Sequence, residues 1–100
     1  MPASAAMKVK FREINLRRYK ITPEDYQRMY YAQDGLCKIC RQPETQGVVN
    51  ASGGRNLSVD HIHGRIPPVV RGLLCHRCNK VLGMVRDNAD LLYAMARYLT

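Results

Sequence analysis

Residues 57–79 read Leu57-Ser-Val-Asp60-His61-Ile-His63-Gly-Arg-Ile-Pro-Pro-Val-Val70-Arg71-Gly-Leu-Leu-Cys75-His-Arg-Cys78-Asn79. Leu57 and Val59 alternate with Ser58 and Asp60, the two-residue period of a half-buried strand. Val69 to Leu74 is a second apolar run, and Gly64 to Pro68 between them is rich in turn residues. Two such runs joined by a short turn predict a hairpin. Cys75 then opens a short helix that runs to about Met84.

A second cysteine pair, Cys37-Lys-Ile-Cys40, lies upstream and mirrors Cys75-His-Arg-Cys78. Two cysteines two residues apart can reach one metal from a tight knuckle, and four thiolates complete a tetrahedron around zinc. Such an ion clamps the two ends of the segment that holds the hairpin. With all four positions taken by sulfur, it has no open coordination site, so its role is structural. The clamp suits the composition, which has one Phe, no Trp and five Met in 100 residues. A core this thin, near the lower size limit for one domain, needs a staple. Metal binding in small zinc modules contributes roughly 10 kcal/mol or more.

Further out, Thr22-Pro23-Glu24-Asp25 starts a helix: Thr22 caps, Pro23 suits the first turn and Asp25 completes a capping box. Tyr26, Met29 and Tyr30 repeat at helical spacing, which assigns them to packing, and Asp34-Gly35 ends the helix. Phe11 to Lys20 reads as a basic helix. Gln42 to Asn56 is a long loop with a short strand at Val48-Val49. Asp87-Asn88-Ala89-Asp90 is another capping signal, starting a last helix whose apolar face holds Leu91, Leu92, Met95 and Leu99. The chain's own core can occupy that face.

Sixteen Lys and Arg against eight Asp and Glu leave a net charge of +8, spread along the whole chain. Such a field attracts polyanions, nucleic acid first. No apolar run approaches the roughly 18 residues of a membrane span. Met1 to Ala6 lacks the pattern of a secretory signal. Reduced thiols and a cytoplasmic location are therefore expected, without a membrane partner.

Asp60, His61, His63 and Asn79 carry the candidate chemistry. The Asp60 carboxylate and Asn79 amide oxygen are hard donors suited to a divalent cation. A neutral imidazole beside that cation can take a proton from water. Together they supply an activated nucleophile and stabilisation of developing charge, as phosphodiester hydrolysis requires. Strict alternation places Asp60 and His61 on opposite faces of a strand. The strand must therefore end or bulge there.

The ordered set Cys37-x-x-Cys40, Leu57-Ser-Val-Asp60-His61-Ile-His63, Val70-Arg71-Gly72-Leu73-Leu74-Cys75-x-x-Cys78-Asn79 and Leu82-Gly83 closely resembles the phage recombination endonuclease VII branch of the HNH nucleases. The likeness covers about Leu36 to Leu99. It implies an α+β, ββα-metal (His-Me finger) fold. A hairpin and a helix surround one catalytic ion, stapled by a four-cysteine zinc, with N-terminal and C-terminal helices. It implies that His61 is the general base, that Asp60 and Asn79 bind Mg²⁺ or Mn²⁺, and that His63 assists. The branch carries an acidic residue one helical turn after Asn79, where this sequence has Leu82.

The expected organisation is a disordered terminus over residues 1–8, a basic helical segment over 9–35 and a zinc-stapled HNH nuclease unit over 36–100. Arg17, Arg18, Arg71, Arg77 and Lys80 are the expected DNA contacts. The expected activity is that of a metal-dependent DNA endonuclease or nickase with weak sequence preference. Nothing in the flanking elements demands pairing, so a monomer is expected. The rival readings are a non-catalytic zinc-stapled nucleic-acid-binding module and a zinc module for protein interaction, the latter having no need of +8.

Overall fold

A computed structural model describes residues 16–47, 49 and 53–100. The expected disordered terminus, most of the basic helix and Val48 lie outside the described residues. Leu16–Tyr19 is a 3-10 turn, ended by Lys20 at φ +60°. Helix α1 spans Pro23–Ala32. Strands β1 (Ser58–Ile62) and β2 (Val69–Leu74) form the antiparallel hairpin. Helix α2 spans His76–Met84 and α3 spans Ala89–Leu99. Of the expected Val48-Val49 strand, Val49 makes a single bridge to Arg55.

Local chemistry sets these boundaries. Thr22 Oγ1 accepts from the Asp25 N–H at 3.1 Å, and Asp25 Oδ2 accepts from the Thr22 N–H at 2.9 Å. This reciprocal box satisfies donors that the first turn leaves free. At the other end Gly35, at φ +71°, returns its N–H to the Tyr30 carbonyl. Asn88 caps α3 by accepting from the Leu91 N–H at 3.0 Å.

The core gathers Leu16, Tyr26, Tyr30, Cys37, Leu57, Val59, Leu73, Leu74 and Cys75. Two of the cysteines thus belong to the apolar cluster. Leu57 and Leu73 are fully buried, a placement that stabilises by about 1.5–3 kcal/mol each. Tyr26 is 0% exposed and its hydroxyl donates to the Leu57 carbonyl at 2.6 Å, so the α1 tyrosines serve packing as their spacing predicted. Gln33 is also buried and acts as a splint. Its Nε2 donates to the carbonyls of Leu36 and Leu73, while its Oε1 accepts from the Leu73 N–H at 3.0 Å. One side chain therefore ties the end of α1 to β2.

The hairpin register is Ser58–Leu74, Val59–Leu73, Asp60–Gly72, His61–Val70 and Ile62–Val69. Arg71 faces no residue of β1. The ladder bulges at the step where alternation had to fail, and the extra residue belongs to β2. Consequently Val59 and Asp60 are both buried while His61 and Ile62 are both half-buried. Gly72 follows the bulge because a Cβ there would lie 2.7 Å from Lys38 Cδ. Lys38 crosses at this point to donate to the Arg71 carbonyl at 3.1 Å.

Helix α3 differs from expectation. None of its residues is buried, with Tyr98 88% and Leu99 82% exposed. Among the described residues the core does not occupy its apolar face. No helix among the described residues is long and apolar enough to cross a membrane.

Candidate metal clamp and active site

The first cysteine pair sits on a knuckle. The Cys37 N–H donates to the Gln42 carbonyl, the Arg41 N–H donates to the Cys37 carbonyl, and Arg41 turns at φ +61°. The second pair begins α2, where Cys75 Sγ accepts from the Cys78 N–H at 3.4 Å. All four sulfurs lie within 4.8 Å of one another, and Cys40 Sγ is 3.8 Å from Cys75 Sγ. Zinc–sulfur bonds of about 2.3 Å in a tetrahedron place sulfurs about 3.8 Å apart. The cluster can hold a zinc ion.

Its electrostatics favour a cation. Burial pushes the Cys78 thiol up to about 12, and the crowded neighbouring sulfurs add to that; Cys75 is raised for the same reasons. Burial opposes ionisation of Cys37 too, but hydrogen bonds from the Cys75, Cys40 and Ile39 backbones outweigh it and hold that thiol near 6. One thiolate thus forms readily and suppresses the next, a conflict that a bound dication removes. Arg77 is exposed, and a hydrogen bond to Cys40 raises its guanidinium. Glu44, which sequence reasoning missed, accepts from the backbone N–H groups of Thr45, Gln46 and His76. The first turn of α2 has no acidic residue, and Glu44 supplies the negative charge at its positive end from a distant loop.

The hairpin brings His61 and His63 into contact, and Arg71 and Asp87 link His63 to Asp60. The His61 ring lies between two others: Tyr19 at 4.9 Å and His63, edge-on, at 4.8 Å between centroids. Asp60 is 7% exposed, and both its oxygens accept from Arg71, Oδ2 from Nε at 2.7 Å and Oδ1 from Nη2 at 3.0 Å. That pairing raises the Arg71 guanidinium above its ordinary value. Arg71, expected on a DNA phosphate, turns instead to two carboxylates, since Nη2 also reaches Asp87 Oδ2 at 3.3 Å. Asp87 Oδ2 in turn accepts from His63 Nδ1 at 2.9 Å.

Asn79 is half-buried in the first turn of α2, with its N–H bonded to the Cys75 carbonyl. Since α2 packs on both strands, the cysteine clamp sets its position relative to the hairpin. Lys80 and Arg18 are exposed, and the Arg18 guanidinium lies 5.9 Å from the Tyr19 ring centre. Arg17 belongs to the 3-10 turn, and its side chain lies outside the described residues. Sequence reading missed Tyr19 and Asp87. The only signal for Asp87 was an acidic residue directly before a better cap, Asn88.

A hairpin followed by a helix, with Cys75 and Cys78 at the helix start clustered against Cys37 and Cys40 of the upstream knuckle, defines a small α+β unit with a site able to hold a metal ion. Residues 12–100 match the family model described as recombination endonuclease VII. The chain belongs to the recombination endonuclease VII family. It is 43% identical over 86 residues to the Gene 59 protein of Mycobacterium phage D29, an alignment covering 84% of this chain and 46% of that protein. It is 40% identical, with the same coverage, to the Gene 59 protein of Mycobacterium phage L5. The chain spans about half the length of these curated relatives. No solved structure matches it significantly.

Proposed function

We propose that this unit is a metal-dependent HNH endonuclease or nickase that hydrolyses DNA phosphodiesters. The observation that carries the reading is the His61 ring packed against Tyr19 and His63, next in sequence to the buried Asp60 at the register shift of the hairpin, in a chain of this family. His61 takes a proton from water, and the oxygen so activated attacks phosphorus. Tyr19 and His63 limit the ways the His61 ring can turn. A divalent ion, Mg²⁺ or Mn²⁺, held by the Asp60 carboxylate and Asn79 amide oxygen, would stabilise charge on the phosphate and leaving oxygen. The product carries a 5′-phosphate by the resemblance to this branch.

DNA is the proposed partner. Net charge of +8 and the exposed Arg18, Arg77 and Lys80 suit backbone contacts. Binding is then salt-sensitive with weak sequence preference. The second reading is a non-catalytic zinc-stapled nucleic-acid-binding module. It is favoured by the Asp60–Arg71 pair, which satisfies the carboxylate without a cation.

Plasmid nicking with Mg²⁺ or Mn²⁺, wild type against His61→Ala, decides between them. The nuclease reading expects cleavage to vanish in the variant while DNA affinity stays nearly unchanged. Equal cleavage by both removes His61 as the base. A wild type that binds DNA but never cuts it establishes the binding module.

A further inference from the structure

The nuclease reading uses His63 without saying what holds it, and Asp87 does not enter that reading at all. Asp87 comes from the α2–α3 junction, where Arg86 and Asp87 are consecutive non-glycine residues at positive φ, +53° and +56°. Two adjacent left-handed residues are unfavourable for ordinary side chains and persist only where surrounding bonds demand them. Here the Asp87 N–H donates to the Leu82 carbonyl at 2.9 Å, and the Asn88 N–H donates to the Val85 carbonyl at 3.0 Å. The reversal turns the Asp87 carboxylate back to the hairpin. Capping of α3 does not require this, because Asn88 performs it.

The carboxylate is the junction of a charged chain. Its Oδ2 accepts from His63 Nδ1 and from the same Arg71 that grips Asp60. Its Oδ1 is buried and, among the described residues, accepts no hydrogen bond. A carboxylate oxygen brings no proton, so the hydrogen between Asp87 and His63 must belong to Nδ1. In the neutral ring this leaves Nε2 as the bare nitrogen. His63 is 63% exposed, so that nitrogen is open to solvent and to a ligand, and its ring meets His61 edge-on. The cleft at this point is lined by Ile62, His63, Arg71, Gly83, Arg86 and Asp87.

We propose that Asp87 is a positioning residue of the nuclease site, fixing the tautomer and orientation of His63 so that Nε2 is its working nitrogen. When neutral, Nε2 accepts a hydrogen bond from water; when protonated, it donates to a phosphate oxygen while Asp87 balances the ring's charge. Through Arg71, the same carboxylate steadies the partner of Asp60. The assignment rests on the nuclease reading for its consequence in cleavage, and on the His63 pair alone for its consequence in the ring.

Asp87→Ala tests it in the full, zinc-loaded chain. The replacement removes the acceptor of the Nδ1 proton, and an exposed neutral imidazole without that partner carries its proton mainly on Nε2. Nitrogen-15 spectra of the His63 ring, taken where the ring is neutral, should show the proton on Nδ1 in wild type and on Nε2 in the variant. Nicking should fall about 10- to 100-fold, with DNA affinity within about twofold. Removing Asp87 should cost less in a His63→Ala background than in wild type, because the two changes share one ring and only the part that runs through Arg71 remains. A wild-type proton on Nε2, or an unaltered tautomer in the variant, overturns the pairing. An altered tautomer with unchanged nicking overturns the role in cleavage. If wild type cuts no DNA, the nuclease reading fails, and the tautomer result still decides whether Asp87 sets the ring.

Discussion

Arg71 meets Asp60 through both carboxylate oxygens, at 2.7 and 3.0 Å, from the one residue of β2 that faces nothing on β1. The bulge and the ion pair are one feature. An extra residue in the longer arm brings the guanidinium over a buried acid whose register partner is the next residue, Gly72. Lysine cannot reproduce the contact, since an ammonium offers no planar fork. Arg71→Lys and Arg71→Gln should therefore lower nicking more than tenfold while DNA affinity changes less than threefold, by order of magnitude for a lost charge-assisted pair. Gel-shift titrations in parallel with nicking rates check this. A loss confined to affinity, with a smaller salt slope, would return Arg71 to the role of phosphate contact.

Tyr26→Phe should destabilise by about 1–3 kcal/mol, because it leaves the buried Leu57 carbonyl without its donor. The substitution should also remove a pH dependence. Burial, with the neighbouring Tyr30 adding to it, raises the Tyr26 phenol well above its ordinary value. The unfolded chain ionises near about pH 10 and the folded chain above that. The stabilisation is thus fully present below about pH 10 and is lost as pH climbs beyond it. Urea unfolding on either side of that value should show a fall in wild type that the phenylalanine variant lacks.

Gln33→Leu should cost about 1–3 kcal/mol, since the N–H of buried Leu73 loses its acceptor and the Leu36 carbonyl loses a donor, while the Leu73 carbonyl keeps the Lys38 N–H. Its size is nearly conserved, so the loss reads the polar splint rather than a cavity. Thermal unfolding of the zinc-loaded protein measures it. An unchanged melting temperature would show that α1 is held to β2 by apolar contact alone.

The purified chain should carry one zinc, and Cys75→Ser should lose it and fold poorly. Zinc uptake at neutral pH should release protons, among them those that Cys75 and Cys78 retain when their thiols are pushed up. Acid should weaken binding for the same reason. Metal analysis and proton release in weakly buffered solution give both numbers. Full zinc with an unaltered melting temperature in Cys75→Ser would remove the clamp from the account of stability.

Much of this architecture was legible in residues 57–79 because its signals are short-ranged. Alternation marked β1, and turn residues marked the loop before β2. The two-residue gaps marked the cysteines that cluster, and Thr22 and Asn88 marked helix starts. The conflict between alternation and an expected Asp60–His61 site even located the bulge. What stayed hidden depends on distance. Nothing near Arg71 says that it pairs with Asp60, since that follows from a register set by both strands. Asp87 read as part of a cap, because consecutive left-handed residues leave no signature in arginine and aspartate. Tyr19 reaches His61 only through the fold of the segment before α1. The α3 stripe told which residues share a face, and a stripe cannot say whether anything covers it.

The connection from Thr45 to Asn56 lies between two halves that already grip each other. One half carries α1, Gln33, Cys37 and Cys40; the other carries Leu57, the hairpin, Cys75 and Cys78. The Tyr26–Leu57 and Gln33–Leu73 bonds and the shared sulfur cluster all cross that divide. Covalent continuity through the loop is thus not what unites them. A backbone cut there would yield two fragments that complement each other around a common ion, and a chelator would act on the nicked protein as a dissociating agent.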